Sequence, residues 1–312
     1  HGGKLVLLSA VLDTLPTYFM LCFSLPVQVI KAIDKRRRTF FWSNHDTCSG
    51  AKCLVAWDKV CTPREAGGLG VKNLRAQNFC LLLKFAYKFL HSSNLPWKDW
   101  VLHNSPLHIG HDKNSSFLAK TIFKHLQSLR EISQCTVGDG CSTFFWLDRW
   151  LKPEPLAIVY PALFSHHTNQ NGLVVTILQD GIELALRNRL TSTVIAELAS
   201  LNSLLQDCAL SQVPDDRRLL NGAAFSIKGA YTALSDHLLD PMLNDIWDSK
   251  VPKKVMIFCW LFYLDRLNTR KNLHKKNILD SSACPRCTHS VEDRQHLFFT
   301  CPAARRIWRA AG

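Results

Sequence analysis

Apolar positions recur at helical spacing along most of the chain. Residues 4–42 read as three helices: Lys4 to Thr14, a second opening at Pro16, and a third opening at Pro26. In the third, Val29 or Ile30, Ile33, Arg37 and Phe40 or Phe41 fall near one face. A loop is predicted over 43–52. Gly67-Gly68-Leu69-Gly70 reads as a tight turn, because it lacks both the spacing of a dinucleotide loop and the Gly-Lys-Ser/Thr ending of a phosphate loop. Residues 73–91 form a strongly apolar core helix, carrying Leu74, Phe79, Leu81, Leu82, Leu83, Phe85 and Phe89.

The pattern weakens after that helix. Residues 92–115 read as a polar, proline-containing link. A helix follows over 116–132, with Leu118, Ile122, Leu126 and Leu129 on one stripe. Val137-Gly138-Asp139-Gly140 is a predicted turn and 143–150 a predicted strand, together a small hairpin. Residues 153–172 look loop-like, with His166-His167 at the surface. One or two helices occupy 173–210, and a short strand feeds a helix near 224–231. Pro252 starts a helix running to about Leu264, with Val255, Phe258, Leu261 and Phe262 inward. Thr269 caps a basic helix through Asn277. The expected fold is mainly α with small β hairpins (α+β), closed by a small C-terminal helical domain.

The run from Leu5 to Pro26 is the one membrane candidate. Asp13, Thr14, Pro16 and Thr17 lie in its middle, and burying them in lipid costs a few kcal/mol. Two amphipathic helices split at Leu15-Pro16 are the better reading, and no membrane partner is expected.

Charge and cysteine usage narrow the class. The 312 residues carry a formal net charge of +13, which favours a polyanionic partner. Cationic positions concentrate on two helices and at the C-terminus: Lys31, Lys35, Arg36, Arg37 and Arg38; Arg270, Lys271, Lys275 and Lys276; and Arg305, Arg306 and Arg309. Each set reads either as a solvated face or as a phosphate-contacting one. The twelve cysteines lack disulfide-like spacing and no secretory signal precedes them. Reduced thiols in an intracellular compartment, nucleus or cytoplasm, are expected. The first residue is His1, not Met, so a piece of a longer protein is expected.

The sharpest chemistry lies near the C-terminus. Cys284, Cys287, His296 and Cys301 form the pattern C-x2-C-x8-H-x4-C. Two cysteines in one turn can aim both sulfurs at an ion, and a histidine and third cysteine complete a Cys3His tetrahedron suited to structural zinc. Cys301 precedes Pro302 at a helix entrance, a position that favours thiolate. The alternative is unrelated buried thiols and a surface histidine. His289, also nearby, is not expected to bind. No Ser-hydrolase or HExxH pattern occurs, and no small-molecule substrate is expected.

Several ordered blocks resemble the C-terminal region of plant non-LTR (LINE-type) retrotransposon reverse transcriptases. They include Leu8-Ser-Ala-Val-Leu-Asp-Thr-Leu-Pro16, Phe40-Phe-Trp42, Trp57-Asp-Lys-Val-Cys61-Thr-Pro63, Gly67-Gly-Leu-Gly70, Gly138-Asp-Gly140 and Phe145-Trp146-Leu-Asp148-Arg-Trp150. Phe225-Ser-Ile-Lys-Gly-Ala-Tyr231, Val251-Pro-Lys-Lys-Val255, Arg266-Leu-Asn-Thr269 and the Cys/His set resemble that family's zinc-binding domain. The resemblance implies three regions: 1–105, a post-palm, thumb-like helical segment; 106–224, a connecting α+β region; and 225–312, the reverse-transcriptase zinc-binding domain. It also implies RNA or DNA as partner, and possible docking on an upstream polymerase palm. The family's palm uses paired aspartates to hold two metal ions. The only adjacent aspartates here, Asp215-Asp216, fall where the family has a linker and read as a loop pair, so the palm is expected upstream of His1. Nor do spaced acidic residues suggest a ribonuclease H site. The expected role is non-catalytic; a zinc-stabilised protein-interaction module is the alternative.

Overall fold

The computed structural model describes residues 2–43, 52–91, 95–104, 117–234, 240–288 and 290–312. Residues 44–51 of the predicted 43–52 loop, most of the link over 92–115, and His289 lie outside the described residues. The architecture is mainly helical with one small antiparallel sheet among the described residues. No described helix is long and apolar enough to cross a membrane. The described cysteines are free thiols.

The chain forms two compact units. One comprises residues 1–19, 25–75 and 237–312; the other, 20–24 and 76–236.

In the first unit the chain opens with the helix Gly2–Leu7 and a π-helical turn, Leu8–Leu12. The helix Val27–Trp42 follows Pro26, as its proline predicts. Leu5, Leu8, Phe41, Val60 and Leu69 pack in one core with Ile257, Trp260 and Leu261 of the helix Lys253–Tyr263. The Trp260 indole N–H donates to the Gly67 carbonyl at 2.9 Å. Gly67 takes φ 88°, a left-handed conformation that glycine adopts without strain, so the glycine-rich stretch is the expected tight turn.

This unit corrects one basic assignment. Arg37 is buried, not presented to a phosphate backbone. Its guanidinium meets Asp13 and Asp34, each at 2.5 Å, and donates to the Lys72 carbonyl at 2.8 Å. Leaving either Arg37 or Asp13 alone in that interior would be costly, so the two are retained as a pair. Asp13, which argued against a membrane span, is thereby explained.

In the second unit the helices Leu74–His91, Phe117–Ile132 and Ile227–Leu234 enclose one core, with Leu83, Phe89, Ile122, Leu126 and Leu129 inside. A second core gathers Phe145, Trp146, Leu163, Ile177 and Leu201. The polar link contains a helix, Pro96–Asn104, opened by its proline.

The predicted 137–150 hairpin does not form. Ser133–Thr136 pairs instead with Asp216–Leu219, antiparallel, Cys135 opposite Arg217. Residues 143–150 turn inward because their aromatics are needed in the core: Phe144, Phe145 and Trp146 are fully buried. The 153–172 stretch likewise holds two short helices, Leu156–Val159 and Pro161–His166. His167 is buried edge-on to Trp146, 5.2 Å between ring centroids, not at the surface as predicted.

Asp215 and Asp216 part company. Asp216 is exposed and pairs with Arg218 at 2.7 Å. Asp215 is buried. It accepts hydrogen bonds from the backbone N–H groups of Gly138, Gly140 and Ser142 and the hydroxyls of Ser142 and Thr143, at 2.8–3.0 Å. Burial alone would raise its carboxyl pKa, but these donors hold it below the usual carboxylate range. Gly138 is required there, since a Cβ would meet the Val213 carbonyl oxygen at 2.0 Å.

Candidate metal centre

The centre is built in two local steps. In the first, the chain reverses over 282–292. Ala283 bridges Val291, Cys284 N–H donates to Ser290 O at 2.8 Å, and Thr288 N–H donates to Cys284 O at 2.8 Å. Pro285 stiffens this turn and Thr288 closes it at φ 59°. Cys284 and Cys287 are thereby placed on one side of a single knuckle.

The second step brings His296 to Cys301. On an α-helix, with 3.6 residues per turn, residues five apart point about 140° away from each other. The chain avoids this by winding His296–Thr300 as a π-helical turn, closed by Cys301 N–H to His296 O at 2.9 Å. Asp293 starts the turn by accepting the His296 N–H at 2.8 Å. That N–H, ahead of the opposing cost of burial, holds the Asp293 carboxyl below its ordinary range. Cys301 then serves as N-cap residue of the helix Pro302–Ala311, with proline in its first turn.

The four donor atoms lie within 4.8 Å of one another. Cys287 Sγ is 3.3 Å from His296 Nε2. A tetrahedron with metal–sulfur bonds of about 2.3 Å has edges of about 3.8 Å, so this cluster can close on one ion with small side-chain movements. Cys284, Cys301 and His296 are buried and Cys287 half-buried. Three thiols and an imidazole are the donor set zinc prefers. His296 Nδ1 lies 3.3 Å from Thr300 Oγ1, which orients the ring with Nε2 toward the sulfurs. Burial pushes the Cys284 thiol upward. At Cys301 burial acts in the same sense, but the N–H groups of Ala304 and Ala303 outweigh it and hold this thiol below its ordinary value.

The surrounding cations divide by role. Arg294 caps the Lys253–Tyr263 helix, donating to the Phe262 carbonyl at 2.6 Å and also to the Tyr263 carbonyl. Lys271 sits 3.5 Å from Asp293. Arg270 and Lys276 are half-buried; Lys275, Arg305, Arg306 and Arg309 are exposed. On the Val27–Trp42 helix, Lys31, Lys35 and Arg36 are exposed and Arg38 half-buried. Asp293 and Thr300 were missed from sequence. An acidic residue three before a ligand histidine, and a hydroxyl one before a ligand cysteine, are the signals that would have found them.

Residues 225–308 match the family described as zinc-binding in reverse transcriptase. A putative ribonuclease H protein of Arabidopsis thaliana is 28% identical over 98% of this chain and 52% of its own length. The chain therefore spans about half of that relative. An uncharacterized mitochondrial protein of the same plant is 31% identical over 45% of this chain and 94% of its own length. No solved structure matches the chain. With its Cys3His cluster inside the matched segment, the chain belongs to the plant reverse-transcriptase-related family that carries this zinc-binding domain.

Proposed function

We propose that this chain is a non-catalytic C-terminal part of a LINE-type retrotransposon reverse transcriptase that holds structural zinc and binds RNA or DNA. The observation that carries the reading is the convergence of Cys284, Cys287, His296 and Cys301 within 4.8 Å, inside the segment matching the reverse-transcriptase zinc-binding family. With four protein donors, the ion has no open position for water, so its role is to hold shape. The net charge of +13 and the exposed Lys31, Lys35, Arg36, Lys275, Arg305, Arg306 and Arg309 support a polyanionic partner. The non-catalytic reading is supported by Asp215 and Asp216: one is engaged by five internal donors, and the other pairs with Arg218.

The test uses the purified full chain. One zinc per chain is expected by metal analysis, and binding to RNA or DNA of roughly micromolar strength that weakens steeply with salt. Absence of zinc, or affinity insensitive to salt, sinks the reading. Primer-extension or nuclease activity abolished by a point change would overturn its non-catalytic part.

A second reading is favoured by one observation. Leu7, Leu15, Tyr18 and Phe19 expose 53%, 66%, 74% and 59% of their surface. Apolar surface of that extent suits docking on another protein, such as the polymerase palm. Association with an isolated palm segment in a pull-down is the corresponding test.

A further inference from the structure

The metal-binding region carries aromatic rings that neither the unit's core nor the metal donors use. Phe298 packs edge-on against Phe258 and Phe262, with centroids 5.6 and 5.4 Å apart, and Phe299 meets Phe262 at 6.0 Å. The Trp308 indole N–H donates to the Phe298 carbonyl at 2.5 Å, which sets the indole beside this row. Trp308 follows buried Ala304 by four residues, so it shares the helix face turned toward the metal centre. Yet Phe258, Phe299 and Trp308 remain 42%, 54% and 55% exposed. A row of half-exposed rings fixed by its own backbone is a surface prepared for a ligand.

The rim indicates which ligand. From Arg294 to Gly312 the chain has four arginines and no acidic residue. The Arg294 guanidinium lies 5.6 Å over the Phe262 ring, and Arg305 Nε donates to the Phe299 carbonyl at 3.3 Å. Arg306 and Arg309 are exposed on the same helix. The nearby acids lie against donors of their own: Asp293 against Lys271 and the His296 N–H, Glu292 accepting the Arg270 N–H at 3.1 Å, and Asp265 4.0 Å from Arg294. A rim of one charge sign around π faces complements a polyanion that offers π faces of its own. Unpaired nucleotides do; in a duplex the base faces are stacked away and only phosphates remain to contact.

We propose that this aromatic row with its arginine rim is a stacking platform for the bases of single-stranded RNA or DNA. The inference rests on the nucleic-acid reading above and adds to it a preference for unpaired strands and the residues that impose it.

The test compares zinc-loaded full chain with its Trp308→Leu and Phe299→Leu variants, which keep apolar bulk and lose the π face. Anisotropy is measured on a labelled single strand and on the duplex of the same sequence. Each variant is expected to weaken single-strand binding about ten-fold, the scale of one lost base–aromatic stack, and to leave duplex binding and zinc content unchanged. Trp308→Phe is expected to keep most single-strand affinity. Arg305→Ala with Arg306→Ala should weaken both ligands. Unchanged single-strand affinity in the leucine variants, equal losses on strand and duplex, or failure of Trp308→Phe to retain binding overturns the platform. Wild-type chain that binds neither ligand overturns the nucleic-acid reading itself. Wild-type chain that binds both, indifferent to Trp308 and Phe299, overturns only the platform.

Discussion

Arg217 meets Asp148 through two parallel hydrogen bonds, Nη1 to Oδ1 at 3.0 Å and Nη2 to Oδ2 at 2.7 Å, with both side chains fully buried. The same carboxylate accepts the Phe144 N–H at 2.8 Å and lies 3.4 Å from Arg130 Nε. One strand, one turn and one helix end are thus tied to a single aspartate. Asp148→Ala strands a guanidinium inside and is expected to destabilise the second unit by about 3–5 kcal/mol. Asp148→Asn, which keeps hydrogen-bond acceptance, should cost less. Chemical denaturation of both variants checks the order; a neutral Asp148→Ala refutes it.

Arg37 and Lys35 separate stability from binding on one helix. Arg37→Ala leaves Asp13 buried without its partner and should cost about 3–5 kcal/mol. Lys35→Ala should be neutral in stability and should reduce the salt dependence of nucleic-acid binding by about one ion. The measurements are a denaturation midpoint and affinity across a salt series. The reverse assignment of effects would show that the buried pair is misread.

Zinc and folding should rise and fall together at the C-terminus. Cys287→Ser is expected to lower bound zinc and melt the metal-binding region, and a chelator should do the same to the wild-type chain. His289→Ala should leave the zinc content intact. Metal analysis and thermal melts report both; full zinc retention in Cys287→Ser would remove Cys287 from the ligand set.

Acid should loosen the second unit. Burial lowers the pKa of His91, His125 and His167 from the ordinary value of about 6.5. A depressed folded-state histidine binds fewer protons than the unfolded chain. Its contribution is therefore whole above about pH 6.5 and is lost as pH falls from there through the lowered folded value. Hydrogen exchange in residues 76–236, taken relative to the intrinsic amide rate at each pH, should rise between pH 7 and 5. His167→Phe should blunt that rise. A pH-independent pattern would contradict the burial of these rings.

Local rules gave much of this molecule. Pro26, Pro252 and Thr269 mark helix starts where they occur, and the C-x2-C spacing marks the knuckle. Long-range pairing was not legible. Nothing in Gly138-Asp-Gly140 announces that Asp215 fills its loop, so the stretch read as the turn of a hairpin. Trp146 and His167 read as strand and surface because their burial depends on packing across the second core. Arg37 is one of five clustered cations by type; its place on the apolar face of the helix hints at burial, but its partner Asp13 is distant in sequence and not legible there. At the metal centre the donors were legible by type and spacing. The π-helical turn that makes an i, i+5 pair converge was not, since no residue in His296–Thr300 encodes it alone.

Leu5 and Leu8 share a core with Ile257, Trp260 and Leu261, while residues 76–236 form a separate unit inserted between these segments. During synthesis the ribosome delivers the two ends of that core far apart in time. The inserted unit can complete itself first, because all its segments have by then emerged. The opening helices can already pack on Phe41, Val60 and Leu69, but the side of that core filled by Ile257, Trp260 and Leu261 stays open until the Lys253–Tyr263 helix leaves the exit tunnel. Nascent chains stalled before that point should recruit chaperones that chains released beyond it no longer need.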